Sequence, residues 1–99
     1  MASRAVLGAL HEVENALVAY RSDQDRRVAL EASVDSSRDA LMLARDRYQS
    51  GVTSFIDVLD AERTLQQNEL ALAETTSSVS TDLVQLYKAL GGGWEQRSD

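Results

Sequence analysis

Asp57 and Asp60, three residues apart in the run Ser54-Phe55-Ile56-Asp57-Val58-Leu59-Asp60, are spaced so that two carboxylates could share one side of a helix and divide acid and base roles. That chemistry needs one carboxyl with a raised pKa, and nothing nearby in the sequence supplies the cause. At a helix start the same pair complements the positive end of the helix dipole. His11 is the sole histidine; Glu12 and Glu14 beside it give no metal spacing with a second histidine or a cysteine, so it reads as a solvated surface residue. No nucleophile elbow, phosphate-cradling loop or cofactor fingerprint occurs. The chain is therefore expected to be no enzyme, with no catalytic residue, cofactor or metal.

Composition narrows the alternatives. Ninety-nine residues, 43% hydrophobic and 26% charged, without proline, describe one helical domain and not a disordered chain. With one Phe, three Tyr and one Trp, bulky anchors are few, so Ala, Leu, Val and Ser must carry close, regular helix contacts. A net charge of -6 with no basic run argues against a nucleic-acid partner, which would require clustered Lys and Arg. The lack of cysteine excludes disulfides, thiolate metal sites and thiol nucleophiles. Arg4, His11, Glu12 and Glu14 interrupt any apolar run near the start, so no secretory signal is read there, and no stretch approaches the roughly 20 apolar residues of a membrane span. As expressed, the chain is expected to be soluble and cytoplasmic.

The elements that must position these residues are two long helices around one turn. Val6, Val13, Tyr20, Arg27, Val34, Leu41 and Tyr48 recur every seven residues, accompanied by Ala9, Ala16, Asp23, Leu30, Ser37 and Ala44. This is a heptad seam, turned polar at Ser22 to Arg27 but lacking the Gly or Pro that would break the helix. Val58, Leu65, Leu72, Val79 and Leu86 form a second ladder, and Val52, Ile56, Leu59, Leu70, Ala73, Val84 and Tyr87 lie on an adjacent face. A helix with two apolar rows expects two neighbours. Gly51 stands where a left-handed C-cap would fall, and Ser54 with Asp57 resembles a capping box. The Ser/Thr-rich run Glu74 to Thr81 reads as a small-residue helix face and a weak point. The spacing predicts a helix over about 4–48, a turn over 49–53, a second helix over 54–90 stopped by Gly91-Gly92-Gly93, and a tail over 91–99. The fold class is all-α: a long antiparallel, coiled-coil-like helical hairpin that associates into a bundle. In isolation a dimer of hairpins, four helices together, is expected, with a swapped pair straightened through the turn as the alternative.

The run from Tyr48 through Gly51 to Phe55-Ile56-Asp57-Val58-Leu59-Asp60-Ala61-Glu62-Arg63-Thr64-Leu65, followed by Leu86-Tyr87-Lys88-Ala89-Leu90-Gly91-Gly92-Gly93-Trp94, resembles the C-terminal helical hairpin of TolC-like outer-membrane efflux proteins. Ala9 to Leu17 is similar to the opening of the preceding long helix in that family, so the resemblance covers roughly Val6 to Trp94. It implies a piece of a trimeric outer-membrane and periplasmic channel, whose helical barrel is built from hairpins packed side by side and whose hairpin tips form a closable entrance. It also implies a partner, the periplasmic adaptor of a tripartite exporter. By the same resemblance Tyr48, Gly51, Val52, Thr53 and Ser54 form the entrance tip and adaptor contact, and Asp57 and Asp60 an acidic ring that binds cations. Thr53 departs from the arginine of some relatives, which puts in question a closing salt bridge or hydrogen bond there. Since β-strand segments and a first repeat are missing, the reading is of a fragment. The competing reading is a self-associating soluble helical module with no transport activity of its own.

Overall fold

The computed structural model describes residues 2–98, with side chains at residue 4 and over residues 6–91. It is the predicted all-α helical hairpin: α1 is Ala2–Gln49, α2 is Phe55–Ser98, and no strand occurs among the described residues. Helix α1 passes through Ser22 to Arg27 unbroken. Polar residues in a seam weaken packing but leave backbone hydrogen bonds intact, so without Gly or Pro the helix continues.

Two compact units make up the hairpin, one formed by Arg26–Thr75 and the other by Met1–Asp25 with Thr76–Asp99. Their boundaries fall inside the polar Ser22 to Arg27 segment on α1 and inside the Ser/Thr run on α2.

In the turn-bearing unit the core is a single seam. Val34, Leu41 and Val58 are buried together with Ser37 and Thr75, and Leu30, Ala44, Ala61, Leu65, Asn68 and Leu72 are half-buried. Along α2 these positions advance by alternate steps of three and four residues, the period of a two-row coiled-coil seam. The ladder Val58, Leu65, Leu72 thus has Ala61, Asn68 and Thr75 as its companion row, which an apolar pattern alone does not mark. The row containing Ile56, Leu59 and Leu70 lies on the opposite side of the helix and is exposed, Ile56 by 65% against 3% for Val58. No described side chain is fully buried, because each helix has one neighbour only.

Register is held by a polar layer. Asn68 Nδ2 donates to Ser37 Oγ at 2.6 Å, and Ser37 Oγ donates to the Ser33 carbonyl at 2.8 Å, so the hydroxyl is used in both directions. A satisfied polar pair in an apolar seam favours this register over slipped ones. Beside it, Arg38 lies 3.7 Å from Glu69 and Arg45 3.1 Å from Glu62. These exposed pairs each contribute less than about 1 kcal/mol.

The other unit has a thinner seam. Val79 and Ala89 are buried, while Ala9, Val13, Ala16, Tyr20, Asp23, Asp82 and Leu86 are half-buried. Val6, expected in the seam, is 45% exposed. The Ser/Thr run stays helical. Thr75 and Val79 point into the seams of their respective units, and Thr81 Oγ1 returns to the Ser77 carbonyl at 3.1 Å, a back-bond that satisfies a hydroxyl within its own helix.

The end of α2 differs from the sequence expectation. The helix runs through Gly91, Gly92 and Gly93 to Ser98 and does not stop at Leu90. Each glycine costs about 1 kcal/mol relative to alanine in a helix, but none here takes the left-handed conformation that would end one. Each residue added to a helix already formed gains a backbone bond without a new nucleus, and Glu95, Gln96 and Arg97 are adequate helix formers. The side chains of the expected tail, Trp94 among them, and Asp99 lie outside the described residues.

Candidate functional site

The turn between the helices is built by its backbone. Ser50 N–H donates to the Asp46 carbonyl at 3.0 Å, Gly51 N–H to Tyr48 at 3.0 Å, and Val52 N–H to Arg47 at 2.8 Å. The last two bonds form a Schellman motif, with Gly51 at φ 75° as the left-handed residue that closes α1. A Cβ at Gly51 would meet open space, so the glycine is favoured by its backbone angle alone. On the other side, Asp57 N–H donates to the Ser54 carbonyl at 3.2 Å, opening α2. This bond is backbone to backbone, and Asp57 in the first turn adds its charge to the helix N-terminus.

The side chains brought together here are mostly exposed. Tyr48 and Phe55 stack in a tilted pair, ring centroids 5.3 Å apart, which links the end of α1 to the start of α2. An aromatic pair of this kind contributes about 0.5–1.5 kcal/mol beyond its area. Phe55 was not singled out from sequence; the signal was an aromatic residue on each side of a C-cap glycine. Val52 is 71% exposed, an apolar side chain held at the apex. Thr53 is half-buried, and its Oγ1 is shielded without a hydrogen-bond partner. Ser54, Asp57 and Asp60 are exposed, with buried Val58 between the two aspartates.

Between about one and four helical turns from the turn, Asp60, Ala61 and Thr64 of α2 and Ser36, Ser37 and Ala40 of α1 line a shallow surface groove. The small side chains let a further helix approach closely, as in other helix contacts built on Ala and Ser. Among the described residues no group of His, Cys, Asp or Glu is placed to hold a metal ion. No described helix is long and apolar enough to cross a membrane.

Residues 2–92 match the family described as outer membrane efflux protein. The chain belongs to that family. It is 41% identical to outer membrane protein OprJ of Pseudomonas aeruginosa over 89% of this chain and 18% of that protein. It is 38% identical to the pyoverdine export outer membrane protein OpmQ of Pseudomonas putida, over 95% of the chain and 20% of the relative. The cation efflux system protein CusC of Escherichia coli is 36% identical over 92% of the chain and 20% of its own length. The chain thus spans about a fifth of the curated relatives it matches. No solved structure matches. Outer membrane efflux proteins are transporters and not enzymes, as the sequence reading of this chain expects. The matched segment includes the whole turn and both seams.

Proposed function

We propose that this hairpin belongs to the periplasmic helical barrel of an outer-membrane efflux channel, and that its turn forms the channel entrance and docks the periplasmic adaptor of an exporter. The observation that carries the reading is an apolar, exposed apex on a rigid support within a chain of this family. Val52 is held outward by a Schellman turn, and the Tyr48–Phe55 ring pair ties together the two helix ends that carry it. Docking then uses Tyr48, Gly51, Val52, Thr53 and Ser54, with the small-residue groove receiving an adaptor helix. Asp57 and Asp60, exposed and repeated around a trimer, give the entrance a focused negative potential that selects cations. The names of CusC, a cation efflux protein, and OpmQ, a pyoverdine export protein, are consistent with export by relatives of this chain.

The backbone geometry makes docking separable from folding. Gly51→Asp places a side chain in open space at a left-handed angle, which costs about 1–2 kcal/mol. Asp tolerates that angle better than most residues, so the hairpin is retained. Titrating a purified adaptor hairpin into the chain is expected to show saturable binding that Gly51→Asp weakens at least tenfold, with helicity by circular dichroism unchanged. Equal binding by the variant would remove the turn from the contact. A second reading, a self-associating helical module without transport activity, draws on the exposed apolar row of α2. It predicts self-association without any adaptor binding.

A further inference from the structure

The two polar layers of the hairpin are chemically opposite. Ser37 and Asn68, in the turn-bearing unit, are neutral and hydrogen-bonded. Asp23 and Asp82 occupy the corresponding layer of the other unit, where both are half-buried and Asp82 Oδ2 is shielded from solvent with no partner. An ionised carboxylate accepts hydrogen bonds and donates none, so two facing carboxylates satisfy each other only when one holds a proton. We infer that Asp23 and Asp82 form a proton-dependent clasp in the unit built from residues 1–25 and 76–99: one shared proton holds the helices together there, and its loss forces the layer open.

The neighbours of the pair are polar and apolar on α2 and mixed in charge and burial on α1. On α2 the residues one turn from Asp82 are Ser78, Val79, Gln85 and Leu86, none ionisable; the nearest charges, Glu74 and Lys88, lie further along the helix. On α1, Tyr20 and Gln24 flank Asp23 and are bonded to each other at 2.8 Å. Arg26, one turn on, is exposed, whereas Arg27, also one turn on, is half-buried, with its Nε shielded, without a hydrogen bond and 3.9 Å from Glu31. The hydrogen bond that a protonated Asp82 can donate to Asp23, burial, and the Asp23 charge, in that order, push the Asp82 carboxyl above its ordinary value of 3.8. The sign follows from linkage: a carboxyl whose pKa is raised by folding contributes stability that is fully present below the ordinary value. That contribution is lost as pH rises through the raised value.

The clasp is independent of adaptor docking and is tested on the full chain. Thermal melts of the parent, Asp82→Asn and Asp23→Asn would be followed by circular dichroism from about pH 4 to about pH 8. Asp39→Asn, which removes an exposed carboxylate from the other unit, controls for net charge. The parent Tm is expected to fall as pH rises, and either clasp variant to flatten that fall and melt higher near neutral pH. Hydrogen exchange of the parent should quicken with pH in residues 2–25 and 76–98, beyond the intrinsic rate, more than in residues 26–75. Parallel pH slopes in the parent and both clasp variants, or a flattening equalled by Asp39→Asn, would overturn the inference.

Discussion

Val58→Asp is expected to unfold the turn-bearing unit, whereas Ile56→Asp, two residues earlier, should change its stability by less than about 0.5 kcal/mol. Val58 is the most buried apolar side chain of the seam, at 3% exposure, while Ile56 is 65% exposed on the other side of the same helix. An uncompensated charge in the seam costs about 3–5 kcal/mol, on top of the lost burial of valine. A chain of this size has about 5–15 kcal/mol in total, and a two-helix core with no fully buried side chain stands at the low end. Urea melts followed by circular dichroism, at concentrations low enough for light scattering to show the parent as a monomer, distinguish the two positions. A similar loss from both would mean that the row containing Ile56 is packed within the hairpin as well as the Val58 ladder.

The second large effect concerns association. Ile56, Leu59 and Leu70 in the turn-bearing unit, and Val84 and Tyr87 in the other, are exposed apolar residues of α2 that no intramolecular neighbour covers. In the proposed channel such a row meets the next hairpin; in isolation it should drive dimerisation. Fully burying one large apolar side chain contributes about 1.5–3 kcal/mol. Ile56→Asp combined with Leu70→Asp is therefore expected to weaken self-association by at least about a hundredfold. Light scattering after size exclusion, over a range of concentrations, should show the parent as a dimer and the double variant as a monomer of unchanged helicity. Persistent dimers in the double variant would assign the interface to another face.

How much of this was legible in the sequence can be judged residue by residue. Both rows of the α1 seam were readable because their apolar members recur at seven-residue spacing, and the turn because Gly51 is the one strong breaker between two periodic segments. The companion row of α2 was not, because Ala61, Asn68, Thr75 and Asp82 are small or polar and only cross-helix register identifies them. The Tyr48–Phe55 contact depends on how the turn folds back, which residue spacing does not specify. Gly91 to Gly93 misled because glycine's power to end a helix depends on its reaching a left-handed angle, and here it does not. The Asp23 and Asp82 pairing was hidden for the same reason as the companion row, since each is an ordinary aspartate until its partner is known.

That the turn docks an adaptor is tested most directly by site-specific cross-linking. The chain contains no cysteine, so a single one can be placed at will. Val52→Cys at the apex and Ser80→Cys on the exposed side of α2 would each be mixed with an adaptor hairpin carrying one cysteine near its own tip, under mild oxidation. The predicted result is a rapid heterodisulfide from position 52 and none from position 80. Equal cross-linking from both positions, or none from position 52, would contradict docking at the turn.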